Sequence, residues 1–197
     1  MLKRLALIGT LATAVALSAA ASERTLTIDP AASKVDFKLG ATGHDVEGSF
    51  KVESGSLTFD TATGVMSGEI HVDAKSAKTG NGSRDNTMHG DVLESAKFPL
   101  FTFKAQKLEG HLADAGKSTV KLHGIISVHG VDHALVMPAT VDITGNTASA
   151  NATFSIPFVD WGMKDPSILF LRVEKSVVVT VTASGTLTAV PAQGGAR

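Results

Sequence analysis

The sequence has no cysteine, no tyrosine and one tryptophan, and aromatic residues make up only 5% of its 197 positions. Without cysteine there is neither a disulfide framework nor the thiol that anchors a bacterial lipoprotein. Charge of either sign is not in excess: 18 basic and 19 acidic residues, well mixed, give a formal net charge of −1. A basic footprint for nucleic acid or for an anionic membrane is therefore missing. The longest apolar run, residues 5–17, is shorter than the ~20 residues a spanning helix needs, so no stable membrane anchor is expected. Neither a G-x-S-x-G nor an H-E-x-x-H pattern occurs, and no catalytic residue is expected. Residues 110–118, GHLADAGKS, imitate a phosphate loop but place five residues between the glycines where four are required, and they precede no helix.

What is present begins with Lys3 and Arg4, the apolar run, and small residues at Ala19, Ala20 and Ala21. This is the pattern of a cleaved secretory signal over residues 1–21. The expectation is export, to the periplasm in a bacterium with two membranes, with a single domain over 22–190 and a disordered tail over 191–197.

From Thr25 onward the chain alternates apolar and polar residues with a period of two. Val35, Phe37 and Leu39 oppose Lys34, Asp36 and Lys38; Val46, Gly48, Phe50 and Val52 follow, and Ile70, Val72 and Ala74 oppose Glu69, His71 and Asp73. Phe101 and Phe103, then Leu122 and Ile126, then Met137 and Val141, then Phe154 and Ile156 continue the series to a last strand over about 175–187. A turn is expected at Gly130, Val131 and Asp132. Eight or more antiparallel strands of this kind close into a barrel or stack as a two-sheet sandwich. Glycines on the apolar faces, at 48, 68 and 124, favour bent strands and hence the barrel.

One stretch, residues 79–103, carries helix signals instead. Ser83 is a candidate cap, Asp85 suits the first turn, and Met88, Val92 and Leu93 recur at near-helical spacing before Pro99 ends the segment. The expectation is a short helical insertion near residues 83–95, in two pieces because of Gly90, lying across an open barrel end as a lid.

Small inward residues leave two outcomes, a filled core or a cavity for a hydrophobic chain. Candidate lining residues are Phe37, Phe50, Ile70, Phe101, Phe103, Leu122, Ile126, Met137 and Phe154, with Met88, Trp161 and Phe170 covering an end. Arg84 and Arg172 are either surface charges or contacts for a head group such as a phosphate or a quinone carbonyl. A competing reading assigns His123, His129 and His133, around one hairpin, to zinc or copper or leaves them as polar groups on an outer face. A hydrolase acting on lipid-like esters lacks a nucleophile signature.

The order and spacing of Asp29-Pro30, VEGSF at 46–50, SGSLTFD at 54–60, TGNGSRD at 79–85, FPLFTF at 98–103 and the Gly130 hairpin resemble the YceI-like family of exported polyisoprenoid-binding proteins. The match covers nearly everything between Thr25 and Leu187. The resemblance implies an all-β, lipocalin-like, eight-stranded antiparallel barrel with an elongated apolar cavity. It implies a long-chain isoprenoid or quinone-like lipid as ligand, carried or sequestered in the periplasm, with no catalysis and no cofactor beyond that lipid. Exposed strand edges and hairpins offer a route to a homodimer. The chain departs from the family pattern at Ala32, where many members have histidine, at Val92-Leu93 in place of two aromatics, and in the 158–173 segment.

Overall fold

Asp29 marks a place where the first strand is interrupted without being ended. β1 (Glu23–Ile28) gives way to one turn of 3-10 helix at Pro30–Ala32, and β2 (Lys34–Leu39) resumes in the same direction. The Asp29 carboxylate accepts from the Ala31 amide at 2.9 Å, and Pro30 has no amide hydrogen to satisfy at the first helical position. Both halves pair antiparallel with β3 (Val46–Asp60) on one side and β9 (Val177–Ala189) on the other. Nine strands thus occupy eight positions. The structure, a computed structural model, describes residues 23–190; the expected signal segment and tail lie outside the described residues.

The remaining strands follow in order: β4 (Met66–Lys78), β5 (Leu100–Glu109), β6 (Gly116–Val128), β7 (Val131–Thr144) and β8 (Thr147–Ile156), with one short helix, α1 (Gly82–Thr87), between β4 and β5. Each pairs antiparallel with the next, and β9 returns to β1 and β2, so the sheet closes. This is the antiparallel eight-position barrel with a single helical insertion, and the sandwich alternative falls away.

The period-two pattern decides what faces inward. Along β7, Leu135, Met137, Ala139 and Ile143 are buried while Val136 between them is 54% exposed. Glycine makes room where a ring crosses the sheet: a Cβ at Gly124 would lie 2.6 Å from the Phe103 ring, and one at Gly48 would lie 2.3 Å from that of Phe37. The end of the barrel where β1 begins is filled. Leu26, Leu57, Phe59, Met66 and Ile143 pack there with Leu112, which the 110–115 loop inserts into the core.

The turn from β6 to β7 is tighter than the sequence suggests. Val128 pairs with Val131, so the loop is the two residues His129 and Gly130, at φ 53° and 78°. Positive φ at both positions is the geometry that matches strand twist in a two-residue hairpin, and histidine is among the non-glycine residues enriched there. His129 is held there by Glu94 and by Phe98, whose ring lies 4.5 Å from the imidazole.

Candidate ligand-binding site

The other end of the barrel is open. Three connections meet over it: residues 40–45 between β2 and β3, residues 79–99 around α1, and residues 157–176 between β8 and β9.

The α1 connection is built on Thr79. Its hydroxyl donates to the Asp85 carboxylate and accepts from Arg84 Nε at 2.8 Å, while Arg84 Nη2 donates to the Thr79 carbonyl at 3.0 Å. The cap is Asn81, whose side-chain oxygen accepts from the Arg84 amide at 3.1 Å. Ser83, the residue the sequence favoured, lies inside the first turn instead. The helix then widens, with the Leu93 amide bonding to the Met88 carbonyl at 2.8 Å, so Met88–Val92 forms a π turn continuous with α1. Gly90 therefore sits inside a continuous segment and does not divide it.

His89 ties this segment to β4. Its Nε2 lies 2.9 Å from the Ala77 carbonyl, which can only accept, so Nε2 carries the proton and Nδ1 accepts from the Ser95 hydroxyl. Glu94, at φ 44°, turns the chain out of the helix and meets His129 Nε2 at 2.7 Å. Asp91 meets Lys164 at 3.2 Å, joining the segment to the 157–176 connection.

The third connection is pinned in turn to the first. The Thr42 amide donates to the Arg172 carbonyl at 2.8 Å, and the Glu174 amide donates to the Gly40 carbonyl at 2.8 Å. Within it, the Asp165 carboxylate accepts from the Ser167 amide at 2.9 Å, and the Ser167 hydroxyl accepts from the Val173 amide at 3.1 Å.

These three connections frame a cavity of about 570 Å³ that enters the upper half of the barrel. Its wall is apolar. Phe37 and Phe50 tilt against each other with ring centroids 5.2 Å apart, and Phe50 meets Phe101 edge-on at 5.6 Å. Phe154, Ile126 and Val179 line it as well, and Met88, Val92 and Leu93 cover it from the helical segment. Polar side chains collect at the rim: Thr42 and His44 on one connection, Asn81, Ser83 and Arg84 on another, Arg172 on the third. Such an arrangement offers burial to a long apolar chain and hydrogen bonds to its polar end.

Of the residues singled out from the sequence, Phe37, Phe50, Met88, Phe101, Ile126, Phe154, Arg84 and Arg172 line this cavity. Ile70, Phe103, Leu122 and Met137 face the barrel interior but lie deeper along their strands, where they pack against the core. Phe103 pairs with Ile70, and Leu122 with Met137, so each couple fills its own level. Trp161 is not on the wall; its indole stacks on the His133 ring at 3.9 Å and 3°. Phe170 is not there either, being 90% exposed. Their places are taken by Met163, Ile168 and Leu171.

Two groups among the wall residues not singled out differ in how far the sequence marks them. Leu39, Val128, Ile156 and Val177 continue the same alternation towards the open end, so the period that located Phe37 and Phe154 also marks them. Met163, Pro166, Ile168 and Leu171 lie in an irregular stretch where no period gives direction. The three histidines considered for metal go separate ways: His123 to Glu109 at 3.0 Å, His129 to Glu94, His133 to Trp161. Among the described residues no three His, Asp or Glu side chains gather as a metal-binding group.

Hydrogen bonding from the Thr79 hydroxyl, then from its amide, with the charge of Arg84 behind them, holds the Asp85 carboxyl below the usual aspartate value of 3.8. A lowered folded pKa contributes stability that is complete above the unfolded value and is lost as pH falls through the folded one. The Thr79–Arg84–Asp85 network is therefore expected to stay intact at neutral pH and to fail only in acid below about 3.8. Thr79→Val should raise the Asp85 titration towards the ordinary range, read from its carboxyl carbon resonance. An unmoved titration would remove the Thr79 hydroxyl as the cause.

A closed antiparallel barrel with one open end and an apolar pocket behind a polar rim defines a small-ligand-binding barrel. The chain matches the YceI-like domain over residues 26–185 and belongs to that family. Among curated proteins none matches it. It is similar in fold to BcnA of Burkholderia cenocepacia, with a TM-score of 0.66 and 22% identity over 81% of this chain and 99% of that one. It is also similar to a polyisoprenoid-binding domain from Saccharophagus degradans implicated in plant cell wall breakdown, with a TM-score of 0.65 and 16% identity over 87% and 100% of the two chains. A YceI protein of Campylobacter jejuni gives a TM-score of 0.56 and 19% identity over 73% and 85%.

Proposed function

We propose that this protein is exported to the periplasm and there binds a polyisoprenoid, quinone-like or similar long-chain amphiphile, carrying it as cargo without converting it. The cavity is the observation that carries this reading: an apolar wall with its hydrogen-bonding groups confined to the rim. At roughly 25 cal/mol for each Å² of apolar surface withdrawn from water, a chain inside such a wall is held without any specific polar contact. Arg84 uses Nε and Nη2 on Thr79. A guanidinium has five N–H donors, so others serve a phosphate or carbonyl head group at the rim.

YceI-like membership supports a binding role, and the fold likeness to a domain named for polyisoprenoid binding supports this class of ligand. Export rests on the signal-like pattern of residues 1–21. No helix among the described residues is long and apolar enough to cross a membrane.

The test is uptake of a fluorescent polyprenyl or fatty-acyl probe by delipidated protein, with cell fractionation for location. Saturable uptake displaced by an unlabelled polyprenyl phosphate is expected, with the protein in the periplasmic fraction. Absence of uptake removes the binding role, and recovery in the cytoplasm removes export.

A further inference from the structure

Beside the cavity mouth, the chain reverses in a two-residue hairpin. Ile168 and Leu171 exchange both backbone hydrogen bonds, 3.0 and 2.8 Å, across Leu169 and Phe170. Leu169 sits at φ 45°, a conformation that a turn of this kind normally gives to glycine or asparagine. Neither tip residue gains any burial in return: Leu169 is 88% exposed and Phe170 90%. Ile168 and Leu171, at the neck, are 64% and 60% exposed while also lining the cavity. Four consecutive large apolar side chains thus project from the rim, and their apolar surface runs unbroken into the cavity wall.

The protrusion is held in place. Ser167 links Asp165 to Val173, and Thr42 receives Arg172 through backbone and side chain together, its hydroxyl accepting from the Arg172 amide at 3.1 Å. An apolar wedge fixed to a rigid rim is suited to enter a surface that reshapes around it.

We propose that the Ile168–Leu171 hairpin docks the open end of the barrel on a phospholipid bilayer, with Leu169 and Phe170 inserted at the interface. Area argues against a second protein as the occupant. The four hairpin side chains together expose on the order of 500 Å², still short of the roughly 800 Å² per partner of a stable protein interface. Insertion into an acyl boundary scales with the apolar area buried, and a patch of this size is enough for reversible partitioning. Charge around the hairpin is balanced, with Lys164, Arg172 and Lys175 against Asp160, Asp165 and Glu174, and Lys164 is already paired with Asp91. The attraction is therefore apolar, and the surface it fits is zwitterionic as readily as anionic. Docking in this pose sets the cavity mouth against the layer from which a lipid enters or to which it leaves. That consequence rests on the lipid-carrier reading, whereas the docking does not.

The experiment is flotation of the full purified protein with phosphatidylcholine vesicles, beside the double variant Leu169→Ser, Phe170→Ser. Both substitutions fall on exposed side chains, and an unchanged thermal midpoint confirms the fold. The parent should float equally at low and high salt, and the variant should lose at least about tenfold in partitioning while taking up the fatty-acyl probe as before. Equal flotation of the two proteins, or none by the parent, overturns the proposal. So does a parent dimer in solution that the double variant converts to monomer, which would make the tip a contact between copies. Docking without probe uptake would leave this proposal standing and remove the carrier reading.

Discussion

Phe101→Asp is expected to abolish retention of a long-chain ligand while the barrel still folds. Phe101 closes the aromatic wall by meeting Phe50 edge-on at 5.6 Å, and its ring faces the cavity. The cavity opens to solvent at its mouth, so an aspartate there keeps access to water and folding tolerates it. A hydrocarbon chain entering the same space must strip that water or force the carboxylate to take up a proton, at a cost of several kcal/mol. A loss of about 3 kcal/mol is roughly 100-fold in affinity, read as probe binding against concentration. Lys104→Ala is the control, since Lys104 lies on the outer face beside Glu69 at 3.6 Å. Comparable losses in both variants would mean that the cavity is not where the ligand sits.

Ile143→Ala should do the reverse, lowering stability and sparing the site. Ile143 is 2% exposed, pairs with Gly116 and Ala148, and packs in the filled end away from the mouth. Removing three carbons from a site with little room to collapse costs about 3 kcal/mol, equivalent to roughly 6–12 °C in thermal midpoint for a domain of this size. Probe affinity at low temperature should stay within about twofold of the parent, because binding adds independently at separated sites. A midpoint shift under 2 °C would show that the closed end is not the stabilising core; a matching loss of affinity would show that the two ends are not independent.

The contrast between these two residues follows from what a period of two can and cannot convey. Alternation identifies inward residues along β2 to β8, and the number of strands with the glycines that let Phe37 and Phe103 cross the sheet at Gly48 and Gly124 favours closure. It did not say how far a cavity penetrates. Ile70, Phe103, Leu122 and Met137 share the inward period with Phe101 and Ile126, and only depth along the strand separates them. Depth depends on which end the connections leave open, and that is a long-range property.

Local chemistry is legible in the sequence, and distant partners are not. The helical insertion was visible from its spacing, yet its cap fell to Asn81 because Thr79 and Asp85 draw the chain into an earlier turn. The split of the first strand was half visible: Asp29-Pro30 signals a turn, but the return of β2 to the same two neighbours is a matter of pairing. His129 takes a left-handed turn position from which its imidazole meets Glu94, 35 residues away, a pairing no local signal marks. Trp161 and Phe170 looked alike as large apolar residues in an irregular stretch. One found His133, and the other found solvent.

The most direct measurement is organic extraction of the protein recovered from its own cells, followed by mass spectrometry of the extract. A long-chain isoprenoid or related amphiphile at near-stoichiometric amount, lost in Phe101→Asp and kept in Lys104→Ala, is the predicted result. An extract without long-chain lipid, from protein that also fails to take up a polyprenyl or fatty-acyl probe, would contradict the lipid-binding assignment.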